Sequence, residues 1–322
     1  MVIGRIINNL KRGRYIPILF QNANKPFECN GYTLLELIIT MLLTSIIFSI
    51  VSIFLVNPIQ IYVDIARRAD LIEIADLALC RMERDIHQSL PNSIRVKSVN
   101  GKQAIEMINT VAGMRYRTMS PGDNTTILNF SEAITSFNVF GQFPTTLLGN
   151  NYRLVIYNTG ENGISSDDPT AGVNAYATAV SSGVNPPAGT HVITPATTTI
   201  TLSNIGSEGH IALNTGFQFA FASPQQRVYL VDTPISYVCD PSSTTLTILQ
   251  GYTITSVQPI DVTIAPLNTA RGDLLANSIT ACSFQYQPGT SQRGGIVTIE
   301  FTVTNGDEQI YLLQQVQVNN IP

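Results

Sequence analysis

A single carboxylate, that of Glu36, stands at the start of the longest apolar segment in the chain. The twenty residues from Leu37 to Val56 carry no charge, and their only polar members are serines and threonines. At about 1.5 Å per residue, a helix of this length crosses about 30 Å of hydrocarbon, so the segment is typical of a membrane span. A carboxylate there costs at least about 2.5 kcal/mol, which indicates a function or a charged partner for Glu36.

A glycine, Gly31, stands five residues before Glu36 in the sequence Gly31-Tyr-Thr-Leu-Leu-Glu36. This order of a small residue, an aromatic residue and Thr-Leu-Leu-Glu before an apolar helix resembles the processing site of type IV prepilins and type II secretion pseudopilins. In that family a membrane aspartyl peptidase cleaves after the glycine, and the new N-terminal amine is methylated. The resemblance implies cleavage between Gly31 and Tyr32, with Tyr32 N-methylated and Glu36 as the fifth mature residue.

Cleavage at this position changes the electrostatics around Glu36. Before cleavage, Glu36 has no compensating charge nearby, whereas afterwards each subunit carries a positive amine at Tyr32 in the same hydrophobic layer. Pairing two charges that already lie in lipid recovers much of their desolvation cost. We therefore expect Glu36 to pair with the amine of a neighbouring subunit, and assembly to follow proteolysis.

The charge distribution predicts the orientation of the chain in the membrane. The 322 residues carry a formal charge of −4, but residues 1–31, the basic leader, contain five basic residues and one acid. A basic segment before a span keeps the N-terminus in the cytoplasm, so we expect a single-pass inner-membrane protein with a periplasmic head. Removing the leader leaves a charge of −8, which argues against nucleic acid as a partner.

A conventional secretory signal is the competing interpretation of the N-terminus. Such a signal has an apolar region of about 7 to 15 residues that ends at an Ala-x-Ala site. Here the apolar run is twenty residues long, follows the glycine and ends at no such site, so the sequence favours the prepilin interpretation.

Three cysteines remain after the leader and its Cys29 are removed. Cys239 and Cys282 flank β-like segments 43 residues apart, and they are the candidate disulfide for an oxidising compartment. Three reduced, buried thiols are the alternative. We expect Cys80, beside the apolar stripe of a helix, to be a small buried hydrophobic residue.

The sequence contains no motif for catalysis or for a cofactor. It lacks GxSxG, HExxH, a phosphate-binding glycine loop and CxxC, and its three histidines are scattered. We expect no enzyme activity, no cofactor and no metal site. The adjacent acids Asp167 and Asp168 could indicate calcium, but they lack the spacing of an EF-hand loop.

One long helix is predicted from Thr33 to Leu90, with a membrane or filament-core half at residues 32–57 and an amphipathic half at residues 58–91. Pro58 predicts a kink. Four-residue spacing predicts the surface pairs Asp64 with Arg68 and Arg81 with Asp85. The second half carries an apolar stripe at helical spacing, made of Ile65, Ile72, Ala75, Leu79, Met82 and Ile86.

The periodicity of residues 92–322 predicts a mainly antiparallel β head, so we expect an α+β, pilin-like fold class. A long loop rich in Gly, Ser, Thr and Asn is expected at residues 158–198. A hairpin with an Asn-Gly-Asp turn is expected between residues 297 and 318. The other predicted strands are Ser93 to Val99, Ala104 to Ile108, Met114 to Met119, Ile127 to Phe130, Ile134 to Phe140, Arg153 to Tyr157, Thr199 to Leu202, Phe217 to Phe221 and Arg227 to Val231.

Several blocks beyond the anchor resemble minor pilins of the mannose-sensitive haemagglutinin (MSHA) type IV pilus. They are residues 58–96, 217–221, 229–239, 274–284 and 316–322. The resemblance implies a low-abundance subunit for assembly or for the tip of a surface-attachment pilus. Its implied partners are other pilins, the prepilin peptidase and N-methyltransferase, and the inner-membrane assembly platform. The chain departs from the family in its long leader, in Tyr32 where phenylalanine is commoner, in Cys80, and in a proline at mature position 27 rather than near 22.

Two alternatives remain open at this point. One is a minor pseudopilin of a type II secretion system, which shares the same anchor. The other is a membrane-tethered ligand-binding head, an adhesin, with residues 158–198 as its candidate surface.

Overall fold

The computed structural model describes residues 31–119, 127–149, 151–160, 174–177, 189–289, 294–306 and 308–318, without the side chains of residues 55–57. Residues 1–30 of the predicted leader, with Cys29, and the pair Asp167 and Asp168 lie outside the described residues. The chain divides into two units, of which the first ends at Gln60 and the second begins at Ile61. A long N-terminal apolar helix is followed by a mainly antiparallel β domain, and this confirms the predicted α+β class.

The helix α1 spans Leu34–His87, three residues short of the predicted end, and its helical assignment continues through Pro58. Its first half is long and apolar enough to cross a membrane, and its large apolar side chains from Leu34 to Phe54 are exposed. A soluble protein rarely leaves so large an apolar surface exposed, whereas a membrane or a filament core would cover it. The kink at Pro58 stays a prediction.

The C-terminal part of α1 packs against the β domain. Its buried stripe begins at Leu71, whereas Ile65 and Ile72 of the predicted apolar stripe are exposed. Alanines lie between the larger side chains of the stripe, which lets the helix approach the sheets closely. The buried stripe consists of Leu71, Ala75, Ala78, Leu79, Met82 and Ile86.

Twelve strands are assigned in the part of the chain that the structure describes, and they form three sheets. The largest has the order β1-β2-β7-β8-β9, with β4 also paired to β7. The others have the orders β10-β11-β12 and β3-β6-β5, and every pairing within the sheets is antiparallel. The strands are β1 Arg95–Val99, β2 Lys102–Arg115, β3 Ile134–Phe140, β4 Arg153–Val155, β5 Ile200–Ile205, β6 Glu208–Phe217, β7 Arg227–Asp240, β8 Thr245–Gln250, β9 Arg271–Ala276, β10 Ile279–Gln287, β11 Gly295–Asn305 and β12 Glu308–Val318.

The pair β2 and β7 connects two hydrophobic cores. One end of the pair, from Gln103 opposite Cys239 to Ile108 opposite Pro234, faces the core that α1 shares with β10, β11 and β12. The other end, beyond Val231, contributes to a second core with β3, β5 and β6. Both strands are 14 residues long and span both cores, so one strand pair joins the two halves of the head, with its register shifting between Ile108 and Ala112.

The strand predictions succeed where apolar and polar residues alternate cleanly. The structure has β3 at the predicted bounds, and it has the β11–β12 hairpin, whose turn contains Gly306 at φ +63°. The strand predicted at Ile127 to Phe130 was wrong, and of the one predicted at Phe217 to Phe221 only Phe217, the last residue of β6, is in a strand. Leu128 and Phe219 enter the second core from outside the strands. Burial accounts for Leu128 and Phe219, whereas Phe221 is exposed.

Candidate functional site

The predicted cleavage site lies immediately before the first turn of α1. Gly31, Tyr32 and Thr33 precede the helix, and the Tyr32 side chain is 81% exposed. A Cβ placed on Gly31 would meet no atom within 4 Å, and Gly31 has no positive φ. Nothing in the described structure therefore requires glycine here, so a requirement for glycine would come from the peptidase that reads this segment.

Thr33 caps the helix and thereby fixes where Glu36 lies. The backbone N–H of Glu36 donates to the Thr33 hydroxyl at 3.2 Å and approaches the Thr33 carbonyl oxygen at 3.1 Å. Thr33 and Glu36 have the spacing of a capping box, with Glu36 at the third helical position. The partial positive charge of a helix N-terminus favours a carboxylate there, so Glu36 also stabilises its own helix.

Three hydroxyl groups of the apolar half are satisfied within the helix itself. Thr40 donates to Leu37 O at 3.0 Å, Thr44 to Thr40 O at 2.8 Å, and Ser45 to Leu42 O at 2.8 Å. Such bonds hide a hydroxyl from lipid without a partner from another helix. Glu36 is left as the single charged residue between positions 34 and 63, and within the described chain its carboxylate has no ion pair.

A second group of polar residues joins the C-terminal end of α1 to the head. Asp85 is 6% exposed, and its Oδ2 accepts hydrogen bonds from Arg81 Nε at 3.0 Å and from the Tyr237 hydroxyl at 2.6 Å. Burial and the adjacent carboxylate raise the pKa of Tyr237 well above its usual value, so it remains a donor. The predicted Arg81–Asp85 pair is thus present, but its carboxylate is buried and only Arg81 reaches the surface. Asp64 contacts Arg67 at 3.9 Å instead of Arg68.

A disulfide joins Cys239 of β7 to Cys282 of β10, with 6.6 Å between their Cα atoms. Because β7 and β10 belong to different sheets, the bond links the two sheets that cover α1. Cys80 is exposed on α1, so the expectation of a buried residue was wrong. It follows Leu79 by one residue, and one step around a helix of 3.6 residues per turn carries it off the buried stripe.

A buried charge network holds the loop after β8, and sequence reasoning missed it. Glu106 of β2 is fully buried. Its carboxylate accepts hydrogen bonds from Arg95 Nε at 2.7 Å and from the Tyr252 hydroxyl at 3.0 Å. Burial raises the pKa of Glu106, and the adjacent Arg95 guanidinium opposes that shift. Arg95 also donates to the carbonyls of Thr255 and Ser256. The only sequence signal was an acid within the apolar strand Ala104 to Ile108.

The predicted loop at residues 158–198 is described at residues 158–160, 174–177 and 189–198. These parts are not an exposed excursion, because Ala175, Tyr176 and Ile193 are buried in a small core with Leu90. The Arg95 guanidinium lies 3.6 Å from the centre of the Tyr176 ring, a cation–π contact. Among the described residues no group of three or more His, Cys, Asp and Glu side chains could hold a metal ion.

The segment around the predicted cleavage site matches a known sequence motif. Residues 28–52 match the family model described as the prokaryotic N-terminal methylation motif. The matched segment contains Gly31, Tyr32 and Glu36. The match supports a structural subunit like a type IV pilin or pseudopilin, processed by prepilin peptidase, anchored by the apolar helix and assembled with other pilins. No curated protein and no solved structure matches the chain.

Proposed function

We propose that this chain is a minor pilin of an MSHA-type type IV pilus, similar to the minor pilin MshO, that acts in assembly or near the tip. The methylation motif supports the broader class. The resemblance of residues 58–96, 217–221, 229–239, 274–284 and 316–322 to MSHA minor pilins supports the narrower assignment. A role as a minor pseudopilin of a secretion system shares the same anchor and differs in its partners.

One observation supports processing and assembly: Glu36 is the single charged residue between positions 34 and 63, in the exposed apolar half of α1, and has no ion pair among the described residues. Cleavage after Gly31 releases the Tyr32 amine, which is then methylated, and the amine of a neighbouring subunit neutralises Glu36 in the filament core. A subunit without a neighbour ahead of it would leave this carboxylate unpaired. We therefore place the chain below the outermost position of the filament.

The proposed location is the inner membrane before assembly and the pilus afterwards. The basic leader of residues 1–31 favours a cytoplasmic N-terminus, which directs the head to the periplasm. The Cys239–Cys282 disulfide supports this orientation, because such bonds form and persist in oxidising compartments.

The test is to determine the N-terminal mass of the protein recovered from sheared surface filaments. We expect a chain that begins at N-methylated Tyr32. Glu36→Val should still be cleaved but be recovered from filaments at a small fraction of the wild-type amount, whereas the control Glu73→Val, on the exposed surface of α1, should be recovered normally. A chain in filaments that retains residues before Tyr32, or undiminished recovery of Glu36→Val, would contradict the proposal.

The partners distinguish the pilus from the secretion system. Crosslinking of the wild-type chain in intact cells, followed by mass spectrometry, should identify pilins of a surface filament. Crosslinks exclusively to secretion-system pseudopilins would replace the pilus assignment with the pseudopilin alternative, while leaving the processing at Gly31 intact.

A further inference from the structure

The head contains a cavity of about 510 Å³ that has no role in the proposed pilin function. It lies between β4, the middle of β7 and the loop after β8. Its size falls within the range of about 300 to 1,000 Å³ that is typical of small-molecule sites. Of the described residues that line it, Arg153 and Asp232 are the charged ones, and hydroxyl side chains such as Thr233, Thr253 and Ser256 supply most of the other polar groups.

Arg153 is a partly buried cation without an acidic partner in the described chain. Its Nε donates to the Thr194 carbonyl oxygen at 2.7 Å, and Nη2 donates to the same oxygen. A guanidinium has five N–H donors, so three remain unassigned. Burial lowers the pKa of Arg153 to about 10, and the group therefore stays charged at neutral pH. A charge removed from water without a counter-ion is costly, and an anion in the cavity would offset that cost.

Asp232 carries the opposite charge but does not neutralise Arg153, because no ion pair joins them. One carboxylate oxygen, Oδ1, accepts from Asn109 Nδ2 at 3.0 Å and from the Thr233 backbone N–H at 2.5 Å. These bonds hold the carboxylate in one orientation and leave Oδ2 as an acceptor. The cavity thus offers a cation for an anionic group and, separately, a carboxylate for a group that donates hydrogen bonds.

One wall of the cavity is held in place by the buried charge network. The Tyr252 hydroxyl contacts Glu106 at 3.0 Å and the Ser236 hydroxyl at 2.6 Å. Arg95 donates to the carbonyls of Thr255 and Ser256 at 2.9 and 2.7 Å. A wall fixed before binding loses little conformational freedom when a ligand enters, which favours a preformed site over a gap between loops.

We propose that this cavity binds a sugar acid, a hydroxyl-bearing ring with one carboxylate, through Arg153 and Asp232. The ligand carboxylate accepts from the guanidinium of Arg153, and ring hydroxyls donate to Asp232 and exchange hydrogen bonds with the threonine side chains of the lining. A ligand of higher negative charge is disfavoured because Asp232 would repel it. A neutral sugar is disfavoured because it leaves Arg153 without a counter-ion. The proposal does not depend on the assignment to a pilus.

The test uses isothermal titration of the full-length chain in a detergent without sugar groups. The probes are galacturonate, glucuronate and galactose, of which galactose has the ring of galacturonate without its carboxylate. We expect saturable binding of at least one acid and binding of galactose that is at least about tenfold weaker, the usual effect of losing a charge-assisted hydrogen bond. Failure of both acids to bind, or equal binding of galactose, overturns the proposal.

Three variants locate the binding to the cavity. Arg153→Gln keeps a donor for the Thr194 carbonyl and removes the charge, so it should weaken binding of the acid at least about tenfold. The control Arg271→Gln removes the same charge from an exposed position outside the lining and should change affinity less than twofold. Unchanged binding by Arg153→Gln overturns the proposal.

Thr253→Trp keeps Arg153 and fills the cavity from an exposed wall position, so it should abolish binding. Circular dichroism reports whether each variant is folded. If Arg153→Gln does not fold, Thr253→Trp decides, and retained affinity in folded Thr253→Trp overturns the proposal.

Discussion

Tyr237 of β7 donates a hydrogen bond of 2.6 Å to Asp85 of α1, across 152 positions of sequence. The same carboxylate oxygen accepts from Arg81, one turn earlier in the helix. Because Asp85 is buried, these two donors replace the water that would otherwise solvate its charge. The contact therefore fixes the rotation of α1 about its axis at the point where the helix meets the head.

Tyr237→Phe should lower the free energy of unfolding by about 1 to 3 kcal/mol, because it removes one of two donors to a buried carboxylate. Tyr62→Phe is the matched control on an exposed part of α1 and should change stability by less than about 0.5 kcal/mol. Urea unfolding of the full-length chain in detergent measures both. Equal midpoints for Tyr237→Phe and the wild type would show that the bond contributes nothing.

Loss of the disulfide should destabilise the head more than any other cysteine change. Cys239→Ala with Cys282→Ala opens a link across 43 residues, which the chain-entropy account values at about 4 kcal/mol. Reductant should lower the urea midpoint of the wild type and leave that of the double variant unchanged. Cys80→Ala, at an exposed position, should have the urea midpoint of the wild type. A large change in the midpoint of Cys80→Ala would contradict the prediction that the Cys239–Cys282 bond is the cysteine contribution that matters most.

Asp240 should make part of the stability dependent on pH. Burial alone would raise its pKa, but the Lys102 ammonium at 2.8 Å and hydrogen bonds from Ser242 lower the pKa to about 2. A carboxyl with a lowered pKa contributes stability above the unfolded value of about 3.8 and loses it as pH falls through about 2. Because Lys102 is partly exposed, screening reduces the contribution to about 1 kcal/mol.

Asp240→Asn retains an oxygen for Ser242 and removes the charge pair. The variant should be less stable than the wild type by about 1 kcal/mol at pH 7, and the difference should shrink between pH 4 and pH 2. Urea unfolding at pH 7, 4 and 2 measures this difference. A difference that stays constant over this range would exclude titration of Asp240 as its cause.

Gly31→Val should leave a full-length chain in the membrane, because a branched side chain at the residue before the predicted cleavage bond should obstruct the peptidase. Gly31→Ala retains a small residue and should still be processed. The site has open space around it, so neither change should affect folding. Mass spectrometry of membrane and filament fractions distinguishes the products, and a processed Gly31→Val would refute cleavage at this bond.

Features that depend on neighbouring residues could be predicted from the sequence. The Gly31 to Glu36 segment is a linear motif, the apolar half of α1 is recognisable by its length, and β11 and β12 follow from alternation around an Asn-Gly turn. Cys239 and Cys282 could be paired because few cysteines were available to the head. These signals lie within a short window, where helix and strand periods and turn preferences act directly.

Only the tertiary structure shows which polar side chains are buried together. Sequence spacing placed Asp85 on the helix surface, yet Tyr237 from a distant strand contacts it and it is buried. Arg95 likewise contacts Ser256, which is 161 positions away. The cavity around Arg153 exists because β4, β7 and the loop after β8 converge. The free energy of a buried charge depends on which distant groups surround it, and those groups come together only after the sheets have paired. Helix length and the linear motif from Gly31 to Glu36, in contrast, are properties of adjacent residues.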